Sequence, residues 1–346
     1  MARGMAKAKA NGPDDAALDE KVVSFVRARY GIADTVKITA APFQVSNFPG
    51  FLASTLTTGD GKQTNNTSVF LTNDHHYFIV GVLFPLGKDP KNEIAQHVRE
   101  QFKVPEATTL TVGPFHNSGF PGFLATTVAA ENGKQKQTQD FYITGDNRVL
   151  VLGRIFDFGV DLRRKALRTM VTANQPTLGP AHAPVTIVEY ADLECPMCAK
   201  LHEFLEKDLL PKYGDKVRII FKEFPLPMHD WSRPAAIANE CVYKIKPEAF
   251  AAYRSLVFQN QFTTNVANVR DNLLNYADQV GVDRVQLAGC LDSKASLPRV
   301  EEGAHEAKEL DLQSTPTSFI NGRMLVGFST PEAYYEAVDA ALKEAK

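Results

Sequence analysis

Two stretches near the start of the chain repeat apolar residues every fourth position, and strand-like runs follow each of them. The repeated positions are Val22, Val26 and Tyr30 in the first stretch and Ile94, Val98 and Phe102 in the second. This spacing predicts one amphipathic helix per stretch. After the first helix, strands are predicted over residues 36–40, 51–57, 68–71 and 77–83, with turns such as Gly59-Asp60-Gly61 between them. Each stretch is therefore expected to be an α+β module, a helix on a small antiparallel sheet.

The two stretches are copies of one another. A shift of 72 residues aligns residues 21–90 with residues 93–162 without a gap, and 22 of the 70 pairs are identical. Unrelated sequences of ordinary composition would give about 4. The best-matching part sets PFQVSNFPGFLAST, from Pro42, against PFHNSGFPGFLATT, from Pro114. We interpret this as an internal duplication, with modules at residues 19–90 and 91–162.

The segments that flank the duplication have a different character. Residues 1–18 are basic, small and polar without an apolar run, so we expect a disordered lead-in and not a secretory signal peptide. Residues 163–170 are expected to be helical and basic. They begin a linker, residues 163–180, because prolines and a glycine cluster from Gln175 onward. A further domain is expected over residues 181–346.

The last domain has the pattern of a βαβ unit. Residues 185–190 form a buried-strand run, a helix begins at Cys195 with Pro196 in its first turn, and a second strand covers residues 217–221. The two strands should therefore be parallel. A helical insertion is predicted over about 229–300. Two strands around an Asn321-Gly322 turn and a final helix complete the domain.

Composition limits the classes of function. The chain has 346 residues, 44% of them hydrophobic, which is enough for two or three domains that each have a hydrophobic core. Its 38 basic and 40 acidic residues nearly cancel, so it lacks the basic excess of a nucleic-acid-binding protein. The longest apolar run, residues 77–86, is interrupted by Gly81 and Pro85 and is far shorter than the ~20 residues that span a bilayer.

The candidate chemistry lies in Cys195-Pro196-Met197-Cys198, at the strand-to-helix junction. A helix N-terminus favours a thiolate, which makes Cys195 the expected nucleophile. Cys198 follows one turn later on the same face, so it can resolve a mixed disulfide formed at Cys195. Glu189, on the preceding strand, is expected to face inward and to accept or relay the proton of Cys198. An edge or salt-bridged position is the alternative interpretation of Glu189.

A metal site is the alternative interpretation of the cysteine pair. Cys195, Cys198 and His202 share one helical stripe and are the residue types that bind zinc or copper. No second CxxC supplies further ligands, and a CxxC beside a βαβ pattern is typical of redox proteins. We therefore favour redox chemistry, take His202 as a surface helical residue, and keep a client-binding chaperone or metallochaperone as the alternative function.

Three motifs together resemble the DsbA family of thiol–disulfide oxidoreductases: VTIVEY before the CPMC sequence, FKEFPL from Phe221, and TPTSFING from Thr315. The resemblance implies a thioredoxin fold with an inserted helical domain, in an enzyme needing no metal or organic cofactor. It also implies that Pro316 is a cis-proline facing the sulfurs, that Thr315 touches the disulfide, and that Glu189 is a buried acid. The best-known member has Pro-His between its cysteines where this chain has Pro196-Met197.

The remaining cysteines, Cys241 and Cys290, lie in the helical insertion. They are either two small buried residues or a structural disulfide closing a loop of about 50 residues. We predict the disulfide, which requires an oxidising compartment, and hence a periplasmic or other extracytoplasmic protein. Unfolded or reduced client proteins and a membrane redox partner are the expected partners.

The strand-turn-strand segments of the two modules, over residues 69–89 and 141–161, resemble the N-terminal dimerisation domain of DsbC and DsbG. This resemblance implies either an internal pseudo-dimer through residues 19–162 or a homo-oligomer. The paired Phe48-Pro49-Gly50-Phe51 and Phe120-Pro121-Gly122-Phe123 are interpreted as core, with client binding as the alternative. The sequence leaves open whether the chain oxidises, isomerises or reduces disulfides.

Overall fold

Residues 13–59, 63–133 and 135–345 are described by the structure, a computed structural model, and they divide into two units. Unit 1 comprises the chain up to Phe25 together with Val36–Val160. Unit 2 comprises Val26–Thr35 and the chain from Asp161 onward. None of the described helices is both long and apolar enough to cross a membrane.

Unit 1 is built on one ten-stranded sheet. Its elements, with the helix α1 whose last residues belong to unit 2, are α1 Pro13–Tyr30, β1 Lys37–Ala40, β2 Gln44–Val45, β3 Phe51–Gly59, β4 Thr64–Thr72, β5 Tyr77–Pro85, α2 Pro90–Phe102, β6 Thr109–Val112, β7 His116–Asn117, β8 Phe123–Asn132, β9 Gln135–Thr144 and β10 Val149–Asp157. The strand order is β1-β3-β4-β5-β10-β9-β8-β6, with β2 on β3 and β7 on β8. All pairings are antiparallel, as predicted for each module.

The two modules meet about a local twofold axis. Strands β5 and β10 are the same strand of the two copies, and they pair so that Gly81 lies opposite Gly153, its own equivalent. The two backbones are very close at this pair: a Cβ on Gly153 would lie 2.2 Å from the carbonyl oxygen of Val80. Only glycine permits this approach. The two copies of the duplication therefore join, through β5 and β10, in one continuous sheet.

The two faces of this sheet have different cores. Successive residues of a strand point to opposite faces. Leu150 and Leu152 pack with Ile94 and Val98 of helix α2. Val149, Val151 and Ile155 instead join an aromatic cluster, in which Phe51 and Phe123 of the two Phe-Pro-Gly-Phe motifs lie 6.3 Å apart between ring centroids. Both of these phenylalanines are buried, so the core interpretation is confirmed for them and the client-binding alternative is not.

Unit 2 contains a five-stranded sheet and a helical insertion. Its elements are α3 Leu162–Thr169, β11 Thr177–Leu178, β12 Val185–Ala191, α4 Pro196–Phe204, a π-helical turn Leu205–Leu209, α5 Leu210–Tyr213, β13 Val217–Glu223, α6 Ser232–Ile245, α7 Phe250–Gln259, α8 Val269–Gln279, α9 Arg284–Asp292, α10 Leu297–Glu309, β14 Thr317–Ile320, β15 Arg323–Val326 and α11 Pro331–Glu344. Short 3-10 turns cover Gly214–Lys216, Pro247–Ala249 and Gln261–Thr263.

Strand β12 lies at the centre of the sheet order β11-β13-β12-β14-β15. It pairs with β13 in parallel, as the βαβ pattern predicted, and with β14 in antiparallel orientation. Nearly all of β12 is buried, because helices cover both faces. Helices α6–α10 form the insertion between β13 and β14, and the predicted disulfide joins α6 to α9 through Cys241 and Cys290.

Two predicted boundaries were wrong. Helix α1 already begins at Pro13, inside the expected lead-in, since the Pro-Asp-Asp-Ala-Ala sequence there suits a first helical turn. Within the expected linker 163–180, α3 agrees with the predicted helix over residues 163–170. The segment is nevertheless part of the domain, because Ala166 of α3 packs on Val188 and Tyr190 of the central strand and β11 pairs with β13. Residues 1–12 of the lead-in and residues 60–62 of the predicted Gly59-Asp60-Gly61 turn lie outside the described residues.

Candidate active site

Cys195 is held at the N-terminus of α4. It is the N-cap residue, with Pro196 directly after it as predicted, and its carbonyl oxygen accepts from the backbone N–H groups of Cys198 and Ala199. The Cys195 N–H donates to the carbonyl oxygen of Asp192, 3.0 Å away, in the loop that follows β12. The end of the central strand and the start of the helix thus fix the position of this cysteine.

The surroundings of Cys195 favour its thiolate. A hydrogen bond from the Cys198 thiol is the largest cause; with the help of Thr315 and of backbone N–H groups, and against burial, it lowers the pKa of Cys195 to about 5. Cys195 Sγ lies 3.5 Å from the carbonyl oxygen of Thr315. The low pKa therefore arises without the histidine that Met197 replaces.

Cys198 has the opposite character. It is fully buried, and the N–H of Asp192 donates to its sulfur over 3.4 Å. Burial, the hydrogen bond to Cys195 and the negative charges of Cys195 and Glu189 raise the pKa of Cys198. One cysteine is therefore prepared as a thiolate and the other is kept as a thiol.

Thr315 and Pro316 reach the cysteines from strand β14. The Thr315–Pro316 peptide bond is cis, as the DsbA resemblance implied. Directly after it, Thr317 pairs with Tyr190 and Ser318 pairs with Glu189 on the central strand. This register places the Thr-Pro segment at the end of β12 from which the Cys195 loop departs.

Glu189 is buried at the centre of the sheet, between β13 and β14, so the edge interpretation is wrong. The salt-bridge interpretation is closer, since its Oε2 lies 3.7 Å from Nη2 of the buried Arg254. Burial, opposed by Arg254, raises the pKa of Glu189 to about 7. A carboxyl group with this pKa can both give and take a proton near neutral pH.

The structure corrects the position of His202. It is buried, not on the surface, because α4 lies against α7 of the insertion; its Nε2 is 2.8 Å from Ser255 Oγ. Burial and the charge of Arg254 lower its pKa to about 3. Within the described residues, no three histidine, cysteine, aspartate or glutamate side chains are grouped to hold a metal ion, which leaves the Cys195–Cys198–His202 site without support.

Three further residues of the site were missed by the sequence analysis. Asp192 is fully buried, and its Oδ2 accepts from the Leu226 N–H and from His229 Nδ1, at 2.7 and 2.8 Å. Burial alone would lower the pKa of His229, but the hydrogen bond to Asp192 and the charge of Asp192 outweigh it and raise this pKa. Gln261 Nε2 donates to the carbonyl oxygens of Leu193 and Cys195. A polar residue in a loop next to a CxxC was the one signal for Asp192; Gln261 and His229 had none.

Exposed apolar side chains lie next to these residues of the site in the sequence. Met197 lies between the two cysteines, Met228 precedes His229, and Phe262, which is 90% exposed, follows Gln261. Because His229 is tied to Asp192 and Gln261 to Cys195, their exposed neighbours are carried on loops anchored at the active site.

Comparison with known proteins finds relatives of the part of the chain that carries the cysteine pair. Residues 171–340 match the family model described as "Thioredoxin". The chain is 29% identical over 176 residues to the disulfide bond formation protein D of Bacillus subtilis, covering 49% of this chain and 78% of that one. Over these residues the chain is similar to thioredoxin-like proteins and to the DsbA-type disulfide bond formation proteins.

Two other similarities each cover about half of the chain. A Na(+)/H(+) antiporter NhaA 3 of Salinispora tropica is 32% identical over 169 residues, 49% of this chain but 25% of that one. The crystal structure of oxidised BdbD from Bacillus subtilis is 27% identical, with a TM-score of 0.46, and the match covers 49% of this chain and 93% of that one. The family match over residues 171–340 shows that this half has a thioredoxin-like fold, and this half is an enzyme.

Proposed function

We propose that the DsbA-type domain forms or isomerises disulfides in client proteins outside the cytoplasm, through a mixed disulfide at Cys195 that Cys198 resolves. The observation that carries this proposal is the difference between the two thiols. Cys195 is a thiolate near neutral pH and contacts Thr315, whereas Cys198 is fully buried and protonated. A client can therefore react at Cys195 alone.

In the oxidising direction, a client thiolate attacks Cys195 Sγ of the Cys195–Cys198 disulfide. A bond forms between the client sulfur and Cys195, the bond between the two cysteines breaks, and its electron pair goes to Cys198, which takes up a proton from Glu189. A second client thiolate then attacks the client sulfur of the mixed disulfide. The client leaves oxidised and Cys195 leaves as a thiolate, which is stable because of its low pKa.

The reverse sequence reduces or rearranges a client disulfide. The Cys195 thiolate attacks one sulfur of the client disulfide, the client S–S bond breaks, and the other client sulfur leaves as a thiolate. Cys198, after giving its proton to Glu189, then attacks Cys195 Sγ and releases the second client thiolate. Thr315 and Pro316 border Cys195 on the side of β14, where an extended client segment can lie next to the sulfur. Glu189, with a pKa of about 7, serves both directions.

The direction is tested by equilibrating the native chain with glutathione redox buffers and measuring the alkylated fraction of Cys195 and Cys198 by mass spectrometry. We expect a reduction potential between roughly −120 and −180 mV, the range of oxidases and isomerases. A value near −270 mV, typical of thioredoxin, would make the chain a reductase. Reactivation of a reduced client against a scrambled client then separates oxidase from isomerase.

We also propose that residues 19–162 act as an internal pseudo-dimer, so that one chain with one active site is the working molecule. The pairing of Gly81 with Gly153 supports this, because each module already uses its copy as the partner of its edge strand. The measurement is the molar mass in solution by light scattering. We expect 38.1 kDa; twice this mass would favour the homo-oligomer instead.

The compartment and partners follow from the same chemistry. A disulfide between Cys241 and Cys290 persists in an oxidising compartment, which supports a periplasmic or other extracytoplasmic location. Regeneration of the Cys195–Cys198 pair after each turnover requires a redox partner, and a membrane protein is the expected one. We propose no metal or organic cofactor, since thiol–disulfide exchange balances its electrons between sulfurs.

A further inference from the structure

Helix α7 carries a charged residue in the middle of its buried stripe. Phe250, Arg254 and Phe258 follow one another at intervals of four, and Arg254 is fully buried. Its guanidinium lies between the rings of Phe221 and Phe258, 5.0 and 5.1 Å from their centroids. A guanidinium in such a position is destabilising unless buried anions compensate its charge.

Two carboxylates supply that compensation. Arg254 Nη1 donates to Glu223 Oε1 over 2.6 Å, and Nη2 lies 3.7 Å from Glu189 Oε2. Among the residues that the structure describes, neither oxygen of Glu189 has a hydrogen-bond partner. The nearby Arg254 is therefore the cation that compensates a Glu189 carboxylate, and it comes from the helical insertion, not from the thioredoxin core.

The other groups facing Glu189 are acidic. They are Glu223 on β13, Glu206 in the turn after α4, Cys195, Cys198 and Tyr334 on α11. Each of these, when ionised, opposes the loss of a proton from Glu189, whereas Arg254 favours it. Without Arg254, Glu189 would stay protonated over a wider pH range and would be less able to accept a proton from Cys198.

We propose that Arg254 is a positioning residue that holds the Glu189 carboxylate near Cys198 and provides the counter-charge for proton exchange between them. This inference rests on the proposed function, in which Glu189 exchanges a proton with Cys198. When Cys198 attacks the mixed disulfide, its proton moves to Glu189, its sulfur bonds to Cys195, and the client leaves with the electron pair of the broken bond. Arg254 itself neither gains nor loses a proton.

The experiment measures the pH dependence of the resolving step in single-turnover reduction of a disulfide peptide by the reduced native chain. Arg254→Met removes the charge and retains much of the apolar stem. We expect the pH midpoint assigned to Glu189 to rise by about one unit, and the rate at pH 7, which lies near the native midpoint, to fall about fivefold. Arg254→Lys, which keeps the charge, should restore most of the native profile.

A second variant changes the same balance in the opposite direction. Glu223→Gln removes a buried negative charge and leaves Glu189 as the carboxylate partner of Arg254. We expect the midpoint to fall, so the proposal remains testable if Arg254→Met does not fold. The matched control is Arg233→Met, at a half-exposed arginine paired with Glu301, which should leave the profile unchanged.

A Glu189→Gln background separates the inference from the function on which it rests. There the titration should disappear and Arg254→Met should cause no further shift. If Glu189→Gln leaves the native profile intact, the proposed role of Glu189 fails. If Glu189→Gln abolishes the titration but Arg254→Met leaves the native midpoint in place, the inference on Arg254 alone is wrong.

Discussion

The two units differ in what they bury. The residues of unit 1 that are described as buried are almost all apolar, and the polar ones among them are Thr108 and Thr126. Unit 2 buries a whole set of charged residues: Glu189, Asp192, Lys222, Glu223, Glu240, Arg254 and Glu306. Burial of a charge is costly unless it is paired. Unit 1 thus has the interior of a scaffold, whereas unit 2 accepts this cost in the region around its two thiols.

The charges of unit 2 are arranged in pairs. Lys222 Nζ lies 2.9 Å from Glu306 Oε1, and Tyr190 donates to the other oxygen of Glu306 over 2.7 Å. Arg254 pairs with Glu223 on the opposite side of β13. The difference between the units shows that buried charge, and not burial alone, marks the half of the chain that performs chemistry.

The largest expected effect is on catalysis and is confined to unit 2. Cys195→Ser removes the nucleophile, so we expect client oxidation to fall to the rate in buffer alone, measured with a reduced peptide. Phe51→Ala, in the aromatic core of unit 1, is the matched variant and should leave the rate on the same peptide unchanged. Loss of peptide oxidation in Phe51→Ala would show that the units do not divide these tasks.

The second effect is on the stability of unit 2. Replacing both Cys241 and Cys290 by alanine opens a loop with a sequence separation of 49 residues. The chain-entropy model predicts a loss of about 4 kcal/mol in the free energy of unfolding. Trp231, the one tryptophan of the chain, is buried in unit 2, so its fluorescence in urea follows this unit. A loss below about 1 kcal/mol would contradict the prediction.

The third effect should appear in unit 1. Gly153→Val places side-chain atoms against the backbone of β5, where even a Cβ would lie 2.2 Å from an oxygen. We expect a loss of about 3 kcal/mol, seen as an earlier β-sheet transition by circular dichroism with the Trp231 transition unchanged. Gly159→Ala is the control, because its Cβ would meet only the end of the Asp157 side chain. Equal effects of the two variants would refute the close pairing at Gly81.

The smallest effect concerns client binding. Phe262 is exposed and its neighbour Gln261 is anchored on Cys195, so Phe262→Ser should weaken contact with an apolar client. We expect KM for an apolar peptide to rise about fivefold with little change in kcat, since roughly 1 kcal/mol of apolar contact is lost. Val285→Ser, at another exposed apolar residue, is the control. An unchanged KM for Phe262→Ser would remove this surface from the account.

Much of the fold follows from periodicity and duplication in the sequence. The strands of module 1, the βαβ order, the Asn321-Gly322 turn and the cis Thr315–Pro316 bond all agree with what residue patterns and the DsbA resemblance predicted. These features are local or depend on short motifs. The β5–β10 pairing was not predictable, because β strands of equal pattern can pair with either a copy in the same chain or another chain.

The missed residues depend on contacts that are distant in sequence. Arg254 stands on an apolar stripe between Phe250 and Phe258, which was a signal of an unusual burial, but its partners Glu189 and Glu223 lie on other elements. His202 was assigned to the surface because nothing local shows that the insertion covers α4. The helix predicted over residues 163–170 is present as α3, but its packing on the central strand was not predicted, since a short basic segment has no strong apolar pattern of its own.

The central claim is that unit 2 prepares Cys195 as a thiolate, and the pH dependence of its alkylation tests this most directly. Reduced native chain is treated with iodoacetamide from pH 3.5 to 9, and modified Cys195 is quantified by mass spectrometry. We predict a half-maximal rate near pH 5, a plateau at neutral pH, and a higher midpoint in Cys198→Ala, which lacks the main hydrogen bond to the sulfur. A rate that rises only through about pH 8.5, as for an ordinary thiol, would contradict the account.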